Sequence, residues 1–418
     1  MPRSTRSFPG GTGPDNPPAL LLGGGVIALA VARGLSHADI PVYALGHESD
    51  PARWSRHHEL FVDTGAGKQS QERWLAWLER GPHEGIVLPC NDDALELIVH
   101  HRARLEGLGY VLTEADDGVV AALLDKERTY ELARALEVPT PRTITMRTVE
   151  DLDLVAESLG FPCAVKPLHS HRFAEHFGAW RKVLLATDAD ELERVFIDLE
   201  RIGVAALATE IVPGPDDQFV SFYGYLDEAG ETLLRFTKRK LRQNPPRFGL
   251  GCYHVTDWNE DVAEAGLAFF RGIGLRGLAC VEFKRDARDG RLVLIEGNPR
   301  FTAATGLLRA AGVDLGLFTY NRLLGRPLPP VDPRYRRGLH LWVPGTDVRA
   351  ALAYRKAGDL RLRSWLRSLI GPQRFPVASL EDPGAVLGAI GYKLRRALRR
   401  RLGLKRSRAE TRVRAPAG

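Results

Sequence analysis

The sequence predicts an α/β fold class: a parallel strand–helix layer at the N-terminal end, followed by a mixed α+β region. Three observations predict it. Short apolar runs alternate with helical segments over the first hundred or so residues. The stretch Val138-Pro139-Thr140-Pro141 then breaks the pattern. Two apolar runs, 279–284 and 291–296, flank the turn segment Asp286-Ala287-Arg288-Asp289-Gly290. Strand–helix alternation calls for parallel pairing, and two apolar runs around a Gly/Asp-rich turn call for an antiparallel hairpin.

The elements follow in order. Pro18-Ala19-Leu20-Leu21-Leu22-Gly23-Gly24 reads as a buried strand ending in glycines, followed by a helix over about 26–37. Val42-Tyr43-Ala44-Leu45 and Ile86-Val87-Leu88-Pro89 read as further strands, the latter followed by a helix over about 92–106. Gly23-x-Gly25-x-x-Ala28, with Glu48 about twenty residues on, fits a Rossmann-like dinucleotide fingerprint. A tight strand-to-helix turn needs the same glycines without any ligand. NAD binding, and with it an oxidoreductase, is therefore a minor alternative. Residues 52–58, with Arg53, Arg56, His57 and His58, read either as cations offered to an acidic substrate or as a solvated loop.

Leu123 to Leu136 reads as helix, ended by the prolines at 139 and 141. A helix over 149–159 precedes Pro162-Cys163-Ala164-Val165-Lys166-Pro167. A lysine on an apolar strand needs an anion in a cleft. Leu207 to Val212 is a strand ended by Pro213-Gly214 and the acids Asp216 and Asp217. Phe236 to Gln243 is dense in cations, and strand alternation puts Lys238, Lys240 and Arg242 on one face.

The hairpin carries the most chemistry. With its turn near Asp289, Glu282 lies opposite Glu296. Regular alternation then puts Glu296 and Asn298 on one face and Val293 and Ile295 on the other. Two carboxylates that close repel unless compensated. A hard, oxygen-only site for Mg²⁺ beside phosphates supplies the compensation. Arg300 follows, a fixed fork suited to phosphoryl or carboxylate oxygens.

Glu282, then Glu296-Gly297-Asn298-Pro299-Arg300, resembles the signature of the ATP-grasp superfamily. The resemblance covers about 120–325 and, more loosely, 18–115. It implies a Rossmann-like domain over 18–118, ahead of a two-lobed α+β ATP-grasp region over 119–330. It implies ATP with two Mg²⁺ ions, or Mn²⁺ in their place, held by Glu282, Glu296 and Asn298. Lys126 and Lys166 would meet phosphate. Backbone groups of Glu210 and Val212 would read adenine, and Asp216 or Asp217 the ribose hydroxyls. Arg300 would stabilise the transferring phosphoryl group, and Lys240 would line the cleft. The subgroup resembled best is the carboxylate–amine ligases, with D-aspartate ligase-like enzymes among them. They activate a small or peptide carboxylate as an acyl phosphate and pass it to an amine. The loop expected after Lys166, residues 169–178, departs from the family's glycine-rich pattern. It holds one glycine and the histidines 169, 171 and 176. That departure keeps a second class open, a nucleotide-binding regulatory or tethering protein without turnover. The histidines lack the context of a zinc site.

Composition bounds the remainder. A chain of 418 residues with 44% apolar content suits two or three soluble domains. No apolar run reaches the length of a membrane span. Residues 1–17 read as a disordered leader, and four scattered cysteines fit a reduced, cytoplasmic protein. Residues 331–390 read as a C-terminal extension, with Trp342, Trp365, Leu366, Leu369 and Ile370 as an interfacial face or as packing onto the main domain. Net charge is +6, yet residues 391–418 hold eleven Lys/Arg and one acid, leaving −4 for the rest. The acidic body excludes specific nucleic-acid binding as the main role. The 392–414 segment, with Leu394, Leu398 and Leu402 among arginines, reads as a solvated helix and tail, as a peripheral contact with an anionic membrane on its inner face, or as a non-specific contact with RNA.

Overall fold

A computed structural model describes residues 16–65, 67–168, 183–332 and 334–402. The first layer runs β1 (Ala19–Leu22), α1 (Gly25–Ser36), β2 (Val42–Gly46), β3 (Leu60–Asp63), α2 (Lys68–Leu78), β4 (Gly85–Pro89), α3 (Asp92–Gly107) and β5 (Tyr110–Val111). All its strands pair in parallel, in the order β3-β2-β1-β4-β5. The order reverses at β1, so the turns after β1 and β4 meet in the crevice where such sheets take ligands.

Two short helices follow, α4 (Asp117–Leu124) and α5 (Lys126–Ala135), capped by Asp116 and Asp125. A four-stranded antiparallel sheet contains β6 (Thr143–Met146), β7 (Cys163–Pro167), β8 (Leu184–Ala186) and β9 (Ala206–Glu210), in the order β6-β9-β7-β8. Helices α6 (Glu150–Ser158) and α7 (Ala189–Arg201) cover one of its faces through Val155, Leu192, Phe196 and Leu199, packed on Cys163 and Val165. Lys166 alternates with those residues and points to the other face.

The third unit is a seven-stranded sheet. It contains β10 (Phe219–Leu226), β11 (Thr232–Asn244), β12 (Leu250–Thr256), then after α8 (Glu260–Gly272) β13 (Gly277–Arg285) and β14 (Leu292–Asn298). Helices α9 (Thr305–Ala310) and α10 (Leu315–Leu323) lead to β15 (His340–Trp342), α11 (Pro344–Lys356), α12 (Leu362–Ser368), β16 (Gln373–Arg374) and α13 (Pro383–Arg401). The strand order is β14-β13-β10-β11-β12-β15-β16. One face buries Phe222, Val281, Phe283 and Leu294 against Phe269 and Phe270 of α8. The other face changes character along its length. Tyr223, Tyr225, Phe236, Leu278 and Cys280 share a core with α1, α9, α10 and the first sheet. Two residues further along each strand, the same face carries Ser221, Lys238 and Glu282 instead. The apolar half is covered by the first layer, and the charged half faces a cleft.

The C-terminal extension continues the seven-stranded sheet, β15 pairing antiparallel with β12. Its tryptophans turn inward: Trp342 and Trp365 both donate Nε1–H to the buried Asp347, at 3.0 and 2.9 Å. Of the interfacial face only Leu366 and Ile370 are exposed. Residues 52–58 are not a free loop. Ser55 Oγ and Arg56 N donate to Asp382 just ahead of α13, and Ala52 and Trp54 pack against α13 itself. The 169–178 loop and its histidines lie outside the described residues, as do 1–15 and 403–418.

Candidate active site

The β13–β14 register places Glu282 directly opposite Glu296. Beyond that pair the register shifts, and Phe283 meets Leu294, leaving Ile295 as the extra residue of a bulge. This reverses the parity expected for the outer half of β14. Val293 pairs with Lys284 and shares the carboxylate face, whereas Leu294 enters the core.

Cross-strand pairing builds rows across the sheet. One row runs Glu296, Glu282, Ser221, Lys238 and Thr256. The next runs Val293, Lys284, Phe219, Lys240 and His254. The third begins with Asn298 and Cys280. Lys240 Nζ donates to Glu282 Oε1 at 2.8 Å and sits 4.1 Å from the centre of the Phe219 ring. Lys284 lies on the same ring at 5.1 Å and donates to the Val212 carbonyl at 2.7 Å. Lys238 Nζ donates to Ser221 Oγ at 3.0 Å, with His254 Nδ1 3.4 Å away. Burial, followed by Lys238 and Lys240, holds the His254 pKa well below the usual histidine range, so the ring is neutral. Asn298 Nδ2 donates to Glu296 Oε1 at 3.2 Å.

Lys166 comes from the other lobe. Burial lowers its pKa, while Glu296 and Glu282 oppose the shift from across the cleft. Leu168 and Leu207 of its lobe join the central core, which fixes the lobe against the sheet. Burial also lowers the pKa of Lys238 and of Lys284. Four lysines thus face two glutamates. This excess suits a polyanion, since a buried cation needs a counter-charge. Among the described residues no cluster of three or more His, Cys, Asp or Glu gathers. The set left for a metal is the two carboxylates completed by the Asn298 amide oxygen. Such hard oxygens match Mg²⁺ held partly by phosphates.

The remaining expected residues are placed as follows. Lys126 is the first residue of α5, which is tied to β14 by the Tyr130 hydroxyl donating to the Ile295 carbonyl at 2.8 Å. The Glu210 carboxylate accepts from Arg142 Nε at 3.0 Å, and its backbone N–H donates to the Arg142 carbonyl at 2.9 Å. Val212 is buried beneath the lysine contact already described. Asp216 and Asp217, indistinguishable in sequence, differ here. Asp216 is buried and accepts from Arg247 N at 2.7 Å and from the Tyr354 hydroxyl of α11. Asp217 is only half-buried, with its neighbour Gln218 as contact. Arg242 leaves the lysine pair and forms a two-bond ion pair with Asp347, at 2.6 and 2.9 Å. Arg300 Nε donates to Asp92 Oδ1 at 2.6 Å, across 208 residues of chain. Burial pulls the Arg300 pKa down, but Asp92 and then Glu296 more than offset this and raise it.

The glycine turn after β1 is already filled. The Asp50 carboxylate accepts from His47 N at 2.7 Å, and a Cβ built on Gly24 would lie 1.6 Å from Asp50 Oδ2. An aspartate occupies the space that a pyrophosphate would need at the start of α1, which removes the basis of the NAD reading.

No protein-family model matches the sequence. The chain is 24% identical over 251 residues to D-aspartate ligase of Enterococcus faecium, covering 58% of this chain and 59% of that one. It is 31% identical over 205 residues to D-alanine–D-alanine ligase of Chromohalobacter salexigens, covering 46% and 60%. The match therefore spans about three-fifths of the length of these relatives. In structure it superposes on the biotin carboxylase domain of 2-oxoglutarate carboxylase from Hydrogenobacter thermophilus, solved with MgADP and bicarbonate. The TM-score is 0.62 at 19% identity, over 77% of this chain and 73% of that one. The chain has the ATP-grasp fold and is similar to ATP-grasp ligases. Its ATP-grasp fold is the α+β arrangement described above, and its relatives are carboxylate–amine ligase-like.

Residues missed in the sequence are Lys284, Ser221, His254 and Asp92. Lys284 was findable, because it lies two residues after Glu282 and so on the same face. Asp92 was not, because only tertiary structure brings it to Arg300.

Proposed function

We propose that this ATP-grasp protein is an ADP-forming ligase that joins a small or peptide carboxylate to an amine. The observation that carries the proposal is the paired Glu282 and Glu296, flanked by Asn298 and Lys240 and facing Lys166. A carboxylate is a poor electrophile until one oxygen carries a good leaving group. A substrate carboxylate oxygen attacks the γ-phosphorus of ATP, the bond to the β,γ-bridging oxygen breaks, and ADP leaves. The amine lone pair then attacks the acyl carbon, phosphate departs, and the amine loses a proton.

In this scheme Lys166 and Lys126 bind the phosphates. Lys240 neutralises the carboxylate pair and the developing charge, and Arg300 orients the reacting carboxylate or phosphoryl oxygens. Asp217 takes the ribose hydroxyls, with Asp216 as a structural partner. Backbone groups of Glu210 and Val212 meet the adenine edge. Glu282, Glu296 and Asn298 would hold two Mg²⁺ ions, or Mn²⁺. The metal, when bound, shields the polyphosphate charge.

Residues 18–118 form the substrate wall, 119–330 the nucleotide-binding region and 331–390 its buttress. Location at the cytoplasmic side of a membrane, through 392–414, completes the proposal. The test is an ADP-release screen over pairs of amino-acid or short-peptide carboxylates and amines. Release that requires both substrates, and is lost in Glu296→Ala, supports a ligase. ATP binding without any substrate-dependent release across the screen counts against it.

A further inference from the structure

Of the seventeen large hydrophobic side chains exposed among the described residues, twelve fall between Val348 and Leu402. Five of them lie on one helix. Leu387, Ile390, Leu394, Leu398 and Leu402 are 50–68% exposed. At helical spacing they form a single stripe about 120° wide on α13 and the residue after it.

The opposite face of α13 is docked. Ala385 is buried with Leu29 and Ala52, and a Cβ on Gly388 would lie 2.0 Å from the Trp54 ring. Tyr392 donates to Glu48 at 3.0 Å and packs on Trp54 with ring centres 5.8 Å apart. Ahead of the helix, Asp382 is held by Arg33 at 2.8 Å and by Ser55 at 2.8 Å. The body therefore fixes the helix by its first half and leaves the apolar stripe uncovered.

The charge pattern selects what covers it. Residues 383–402 contain six Lys/Arg and no Asp or Glu. Lys393 flanks the stripe on one side, Arg395 and Arg399 on the other. A second copy of this helix would set arginine against arginine with no acid to pair. A nucleic acid would meet the arginines but leave the leucines in water. A surface of anionic headgroups over acyl chains satisfies both.

We infer that α13 is a rigidly mounted docking element for an anionic phospholipid surface, its Leu/Ile stripe entering the headgroup boundary and its flanking cations meeting phosphates. This deepens the location proposed above, moving it from the tail to a helix fixed on the body. It is independent of the catalytic reading.

The test is co-sedimentation of the full chain with two kinds of vesicle. One is phosphatidylcholine alone, the other phosphatidylcholine with about one-third phosphatidylglycerol. Binding is expected only to the anionic vesicles, weakening as salt rises. Leu394→Asp with Leu398→Asp, or Arg395→Glu with Arg399→Glu, should each lower partitioning by more than about tenfold. These side chains are exposed, so the melting temperature should hold. Equal binding to neutral vesicles overturns the inference, as does unchanged partitioning of the Leu→Asp pair. A dimer seen by sedimentation velocity and dissolved by that pair assigns the stripe to a second copy and overturns it too.

Discussion

Glu296 and Glu282 hold the most specific prediction. In the ligand-free protein their repulsion is offset by Lys240 at Glu282 and by Lys166, Arg300 and the Asn298 amide at Glu296. Glu296→Ala should abolish substrate-dependent ADP release while leaving the fold near wild type, because relief of the repulsion with Glu282 offsets the lost attraction to Lys166 and Arg300. Glu282→Ala should be as severe for activity, and it also strands Lys240. Wild-type turnover in either variant would remove the carboxylate pair from the mechanism. Lys166 makes the complementary case. Its folded-state pKa is depressed by burial, so the folded protein binds fewer protons there than the unfolded chain. Its contribution to free-enzyme stability therefore improves as pH rises through the depressed value toward the ordinary lysine range. Lys166→Met should flatten that alkaline rise. It should also weaken ATP binding by about 1.5–3 kcal/mol, the scale of a charge-assisted contact. Thermal denaturation across alkaline pH checks the first and calorimetric ATP titration the second, and an unchanged ATP affinity at low salt would exclude the phosphate role. The two neighbouring aspartates should separate as well. Asp217→Ala should weaken ATP with little change in stability. Asp216→Ala should cost stability, by leaving Arg247 N and the Tyr354 hydroxyl unpaired.

At the scale of the element, the hairpin was legible because its logic is local. Two apolar runs, a Gly/Asp turn and period-two alternation suffice to set Glu282 against Glu296. The bulge at Ile295 was not legible, since nothing in Leu292 to Glu296 distinguishes a bulged residue from a paired one. It follows from tertiary demands: Leu294 is needed in the core and the Ile295 carbonyl is taken by Tyr130. The glycine turn after β1 shows the same limit. Its fingerprint is real as a turn, yet Asp50, which fills it, sits 25 residues after Gly25 with no motif to mark it. Burial, partly offset by the His47 and Gly25 N–H groups, raises the Asp50 pKa. Stability contributed there is full below the ordinary aspartate value and declines as pH rises through the raised one. Asp50→Asn should therefore melt higher than wild type at neutral pH, the difference shrinking below about pH 4. A thermal-denaturation series across pH measures it. A lower melting temperature at pH 7 would mean that the carboxylate bonds outweigh their desolvation.

At the scale of the whole molecule, three sheets converge on one cleft, and each supplies what the others lack. The four-stranded lobe brings Lys166, the seven-stranded sheet brings the carboxylate row, and the parallel layer brings Asp92 to Arg300. The sequence marked the first two, because each sits in a short contiguous motif. The third depends on the meeting of α3 with the residue after Pro299, which no local pattern encodes. The extension beyond residue 330 was legible only as an extension. Its structural role rests on Asp347, fully buried between Arg242, Trp342 and Trp365. Asp347→Ala should destabilise by about 3–5 kcal/mol, the usual result of stranding one member of a buried ion pair. Urea denaturation at pH 7 tests this, and a loss below about 1 kcal/mol would show that water reaches Arg242.

That same lock bears on how the protein is handled at the bench. Residue 330 invites a cut, because every recognisable signature lies before it. A gene trimmed there would express a chain whose β12 offers an open hydrogen-bonding edge where β15 had lain, beside an arginine stripped of its acid. Exposed edges of this kind recruit one another. The shortened product should collect in inclusion bodies, and a failure to recover active protein from it would say nothing about the chemistry of the cleft.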